Sequence, residues 1–196
     1  MSTATLTRGE VEFDRVYPWA VKSRRQSELL NAWLQLRSPD GAPPSLSNFT
    51  GALKRYPDQD ELTIYDVVRD NGLARYLIVK ESFAFKKAFG RVGTGRFLDD
   101  VLPPLAWRMT RPNYDTCVQL KLPVYAAFSI VERDDENIVY ERLLLPFASD
   151  AGVIDGAVSS LKTTMWKDSS AVRVDPSVRE AHYSFRAVIG LDRLPS

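Results

Sequence analysis

The side chains best equipped for chemistry are few and far apart. One histidine, His182, and one cysteine, Cys117, stand at separate places in the chain. That pair forms neither a Cys/His metal cluster nor an intramolecular disulfide. No Gly-x-Ser-x-Gly element is present, and a lone histidine leaves a serine–histidine triad without its parts. Cys117 falls at an apolar helical position and reads as a core residue rather than a nucleophile. The run Gly90-Arg91-Val92-Gly93-Thr94-Gly95-Arg96 frees backbone amides of the kind that surround a phosphate. It lacks the Lys-Ser or Lys-Thr of a P-loop and follows a helix rather than a strand, so it reads as a structural turn. Acidic clusters at Asp58, Asp60 and Glu61, at Asp99 and Asp100, and at Asp134, Asp135 and Glu136 supply carboxylates for acid/base work in principle. The last sits on a hairpin tip, and Asp99-Asp100 stands near a helix start, where negative charge is favoured. A structural role is expected for them, and no enzyme is expected.

Glu141 and Arg142 are more informative. Neighbouring strand residues face opposite sides, so one of the two points inward, and an inward charge must be paired or it is costly. It either anchors a polar ligand or bonds a loop carbonyl, and the carbonyl is the simpler partner. Phe83, Phe85, Phe89, Trp107, Tyr114, Tyr125 and Phe128 fall in the segments that would wall the same interior. Apolar walls with a few polar groups describe a ligand pocket. They equally describe a filled core, which such residues form more often.

The elements that must position these groups can be read in order. Residues 1–22 start small and polar and end in Val16-Tyr17-Pro18-Trp19, a loose arm with an aromatic anchor. Ser23 to Arg37 is predicted as a helix capped by Ser23, with Leu29, Leu30, Trp33, Leu34 and Leu36 forming one apolar stripe; Pro39 to Pro44 ends it. A short helix is expected over Ser47–Leu53. Leu62–Arg69 and Leu73–Lys80 read as paired strands around Asp70-Asn71-Gly72. Ser82 caps a short helix that stops at Gly90, and Pro112 opens the helix holding Tyr114, Cys117 and Val118. Val124–Val131 and Ile138–Phe147 then form a hairpin, which a third run ending near Leu161 extends into a meander. Leu143 and Leu145 point one way, Leu144 and Ile138 the other, so that strand is covered on both faces. Tyr183–Ile189 alternates enough for a late strand. Two strands, a block of helices and three strands define an α+β domain with an antiparallel sheet.

At 196 residues, with 44% hydrophobic and 26% charged residues, the chain is expected to hold one globular domain over residues 23–166, with an N-terminal arm (1–22) and a C-terminal extension (167–196). A formal net charge of +1 gives no pull toward nucleic acid or anionic lipid. No apolar run approaches about 18 residues, and Met1–Glu12 lacks the order of a signal peptide. The expectation is a cytoplasmic protein.

That element order resembles a PAS domain, and short motifs extend the likeness. Phe89-Gly90, Thr94-Gly95-Arg96-Phe97-Leu98-Asp99 and Leu102-Pro103-Pro104 resemble a bacterial stand-alone PAS variety. So do Pro123-Val124-Tyr125, Tyr140-Glu141-Arg142-Leu143-Leu144-Leu145-Pro146 and the Ser149-Asp150-Ala151-Gly152 turn, and the likeness spans about residues 27–164. Arg111-Pro112-Asn113 departs from it, since a proline within a helix costs about 3 kcal/mol or more; the helix either starts there or is kinked. The resemblance implies a five-stranded antiparallel sheet with short helices on one face, here with an extra N-terminal helix. It also implies a non-enzymatic sensory or regulatory module that signals through protein contact. Many such domains bind a small molecule between helices and sheet; others act as ligand-free dimerisation or adaptor domains with a filled core. No cofactor is identified beyond an unknown small-molecule ligand, whose expected pocket is Phe85, Phe89, Trp107, Tyr114, Tyr125, Phe128 and Arg142. The Leu29/Leu30/Trp33/Leu34 stripe either covers the sheet in its own chain or packs on its twin; a homodimer through that helix is the expectation, with a signalling protein as further partner.

Overall fold

The computed structural model describes residues 6–8, 11–53, 61–89, 92–131, 137–165 and 180–190, with backbone alone at several element ends. Eight strands form one sheet: β1 (Leu6–Arg8), β2 (Val11–Val16), β3 (Leu62–Asp70), β4 (Leu73–Lys80), β5 (Val124–Val131), β6 (Asn137–Ala148), β7 (Ile154–Met165) and β8 (Glu180–Ile189). Their spatial order is β1-β2-β8-β5-β6-β7-β3-β4. The five expected strands are contiguous in it, as β5-β6-β7-β3-β4, and pair antiparallel throughout. The β3–β4 turn is made by Asn71 and Gly72 at φ 49° and 80°, the left-handed pair that matches the twist of a two-residue hairpin.

The sheet goes on past β5, where an edge was expected. Strand β8 pairs antiparallel with β5 from Val124↔Val188 to Val131↔Glu180, and β2 adds to it in parallel at Asp14↔Ala187 and Val16↔Ile189. The N-terminal segment is therefore strand over Val11–Val16 rather than a loose arm. The reason lies in Phe13, Val188 and Ile189, all buried: apolar residues this scarce in a polar segment are hidden by joining an open sheet edge.

Helices cover both faces. On the outer face lie α1 (Arg24–Gln35) and α2 (Leu46–Leu53). Ser23 caps α1, its hydroxyl accepting from the Gln26 amide. Leu29, Leu30, Trp33, Phe49 and Leu53 pack there against Leu143, Leu145, Phe147 and Val158. Two polar anchors fix the helix to the sheet: the Trp33 indole donates to the Pro146 carbonyl at 2.7 Å, and Gln26 Nε2 donates to the carbonyls of Glu141 and Ser160 at 3.1 and 3.0 Å. Buried polar groups need such partners. The stripe is thus used up within one chain, with Trp33 at 0% exposure and Leu29 and Leu30 at 1%. Leu29, Leu30 and Trp33 therefore cover the sheet of their own chain, one of the two roles read for the stripe, while Leu34 stays partly buried beside them.

On the inner face lie α3 (Phe83–Phe89), α4 (Leu98–Val101) and α5 (Pro104–Leu120). The expected start at Pro112 is also corrected: α5 begins eight residues earlier, with Pro104 in its first turn, and runs through Pro112. A proline inside a helix leaves the carbonyl four residues back without its donor. That residue, Arg108, is exposed, and the next carbonyl, of Met109, accepts from Arg186 of β8 at 3.3 Å. The helix ends at Lys121 in the left-handed conformation (φ 56°), whose ammonium donates to the Gly152 carbonyl at 3.0 Å.

Candidate functional site

The inner face holds the groups that sequence singled out, and period-two alternation decides which of them meet. In β6, Leu144 packs inward while Leu143 and Leu145 pack under α1, so Arg142 points inward and Glu141 outward. Arg142 is 2% exposed. Its guanidinium carbon lies 5.6 Å from the Phe128 ring centre and 5.7 Å from that of Tyr114. Nε and Nη1 have no hydrogen-bond partner, so the expected bond to a loop carbonyl is not what holds this side chain. Glu141 on the other face accepts from the Tyr125 hydroxyl at 2.8 Å and meets Lys162 at 3.4 Å.

Around Arg142 the interior is built of tyrosines. Tyr114 of α5 donates to the Tyr65 hydroxyl at 2.9 Å, with the rings edge-on. Tyr76 of β4 packs on Tyr114 with centroids 4.9 Å apart and donates to Asp115 at 2.7 Å; Arg111 holds the second oxygen of that carboxylate at 3.2 Å. Tyr140 stacks on Phe128, centroids 5.0 Å apart. Trp107, half-buried, meets Tyr76 edge-on, and Phe85 is buried in the same cluster.

Phe85, Trp107, Tyr114, Phe128 and Arg142 therefore belong to one inner layer. Tyr125 does not: it packs on the outer face against Phe185 and beneath α1. Tyr125 and Phe128 are three apart in one strand, an odd spacing that puts them on opposite faces, and the parity rule would have separated them at the outset. The Phe89 side chain lies outside the described residues, as does that of His182. Tyr65, Tyr76 and Tyr140 were missed; Tyr140 was legible from its even spacing to Arg142. Cys117 is free and buried, and burial pushes its thiol up, so it is a protonated core residue rather than a thiolate. Among the described residues no group of three His, Cys, Asp or Glu side chains is placed to hold a metal.

The glycine-rich turn is structural. Gly95 donates to the Ile78 carbonyl at 2.8 Å and the Ile78 amide donates to Arg96 at 2.9 Å, closing the free edge of β4. The Gly93 amide donates to buried Glu81; a Cβ there would come within 2.6 Å of that carboxylate and 2.8 Å of Ile78, so only glycine fits. Asp99 and Asp100 pair with Arg75 at 2.9 and 3.3 Å. A separate cleft of about 370 Å³ opens between the β3–β4 turn, the end of α5 and the β6–β7 turn, lined by Arg69, Leu73, Arg111, Asp115, Lys121 and Val153 among others.

The tyrosine interior sets an alkaline limit on the fold. Burial pushes the phenols of Tyr65, Tyr76 and Tyr125 and the Cys117 thiol above their ordinary values near 10 and 9. The folded chain then keeps these protons when the unfolded chain would lose them. That contribution is complete below about pH 9 and declines as pH rises past the unfolded values. Thermal melts are expected to fall steadily between about pH 9 and 12, with tyrosinate absorbance appearing together with unfolding. Absorbance that rises while the fold persists would show these hydroxyls reachable by solvent.

No protein-family model and no curated protein matches the chain. Solved structures do. A light-oxygen-voltage domain is similar at 13% identity and TM-score 0.40, over 58% of this chain and 82% of that one. The dark structure of the blue-light photoreceptor Aureochrome1 LOV is similar at 16% and 0.38, over 59% and 81%. A sensory box sensor histidine kinase from Vibrio cholerae is similar at 17% and 0.36, over 61% and 92%. The chain has a PAS-like α+β fold: the five-strand order, the inner-face helices and the added N-terminal helix are those expected. Among the described residues no helix is long and apolar enough to cross a membrane.

Proposed function

We propose that this chain is a non-enzymatic sensory module of the bacterial stand-alone PAS variety, which binds a small molecule between sheet and α5 and signals by contact with another protein. The observation that carries this reading is the composition of the interior. Here four tyrosines (Tyr65, Tyr76, Tyr114 and Tyr140) and the cation Arg142 converge on one inner layer and set five polar groups into it, one of them charged. Polar groups set into apolar walls are what a ligand site needs for orientation and selectivity. Signalling through a second copy would use a surface other than the α1 stripe. Native mass spectrometry of freshly purified protein is the test. Extra mass that leaves on denaturation is expected.

The second reading is a ligand-free adaptor. It is favoured by the direct ring contacts at 4.9 to 5.3 Å among Tyr65, Tyr76 and Tyr114, which are the spacings of a packed aromatic core. Reproducible absence of extra mass would leave that reading in place.

A further inference from the structure

A guanidinium stays charged at any pH a protein survives, and a buried charge without a counter-charge is among the costliest things a fold can keep. Arg142 is in that position. Its cross-strand neighbours are Ala126 on β5 and Leu161 on β7, and neither carries a charge. Among the described residues it has no ion pair, and Nε and Nη1 have no acceptor. Carboxylates of the surrounding elements have partners of their own: Glu81 the Gly93 amide and Lys86, Asp115 Tyr76 and Arg111, Asp99 Arg75, and Glu141 the far side of the sheet. The faces of Tyr114 and Phe128 attract a cation, yet they supply no acceptor of the strength its N–H groups lost on leaving water.

We propose that Arg142 is the charge anchor for a small organic monoanion, a carboxylate on a planar or apolar body, received between β6 and α5 with Tyr114 and Phe128 on its flanks. One cation between aromatic walls suits a singly charged organic acid; Arg186, on the same face two strands away across Ala126, already donates to the Met109 carbonyl of α5. The inference rests on the sensory reading above and gives its ligand a chemical class.

The test uses the full chain at neutral pH and matched ionic strength, with benzoate as probe and benzamide as its uncharged counterpart. Benzoate is expected to raise the Tm of the wild-type protein saturably, by about 3–6 °C at tenfold excess over Kd, and benzamide to leave it unchanged. Arg142→Met should lose the benzoate response, and without additive it should melt at or above the wild-type temperature, since it removes an unpaired charge. Arg142→Lys, which keeps the charge, should retain a weaker response and decides the matter if the methionine variant does not fold. The proposal is overturned if benzoate gives no shift, if benzoate and benzamide act alike, if the shift survives in Arg142→Met, or if folded Arg142→Met melts well below wild type. Equal shifts by both probes would leave the sensory reading standing with a neutral ligand. No shift together with no extra mass in the native spectrum would remove both.

Discussion

Replacing Trp33 with alanine is expected to cost about 3–5 kcal/mol, the range for truncating a large aromatic in a tight core. Trp33 is fully buried between α1 and the outer face of the sheet, and its indole N–H holds the Pro146 carbonyl at 2.7 Å. The substitution removes both the packing and the donor. A domain of ordinary stability holds only about 5–15 kcal/mol in all, so the melting temperature should drop by roughly 6–20 °C at 2–4 °C per kcal/mol. Trp33→Phe keeps most of the packing and should lose far less. Trp33→Glu should not yield a folded protein at all, since an unpaired carboxylate would be forced against Phe147 and Leu145. Urea unfolding of the three variants checks the order. A Trp33→Glu chain that remained folded and merely changed its oligomeric state would mean that α1 leaves the sheet.

The second large effect concerns the C-terminal strand. A chain ending at residue 166 keeps all five strands of the PAS-like sheet, yet it is expected to aggregate or to melt well below the complete chain. Deletion of β8 strips the whole edge of β5, where β8 pairs from Val124 to Val131, and leaves β2 with no partner on that side. It also removes Ala187, Val188 and Ile189, each at 0% exposure. An unpaired apolar edge is a template for pairing with other chains. Soluble monomer with a cooperative melt close to that of the complete chain would show that residues 23–166 are self-sufficient and that β8 is an accessory.

How much of this was legible follows from the range of each signal. The β3–β4 hairpin was, because Asn71-Gly72 and the flanking β-branched runs are local. So was the two-sided burial of β6, since alternation of Leu143, Leu144 and Leu145 is visible within one strand. The choice between inward Arg142 and inward Glu141 was not, because it depends on which face α5 takes. The task of α1 was not either: an apolar stripe states that it will be covered, and only the long-range contacts of Trp33 and Gln26 say by what. Pro112 misled because propensity weighs against a mid-helix proline, while the packing of Tyr114, Cys117 and Val118 against the sheet outweighs that local cost. The partner of β2 lay furthest out of reach, as nothing in Val11–Val16 names a strand at the other end of the sequence.

That last pairing has a temporal side. Strand β2 finds its neighbour in β8, roughly 170 residues downstream, so on the ribosome it must wait about 10–30 s at ordinary elongation rates before that neighbour emerges. Phe13 is without its native cover for that interval, and the meander around β5 has one open flank. The β2–β8 pairing can therefore close only after residues 187–189 have emerged, whatever the middle of the sheet has done by then.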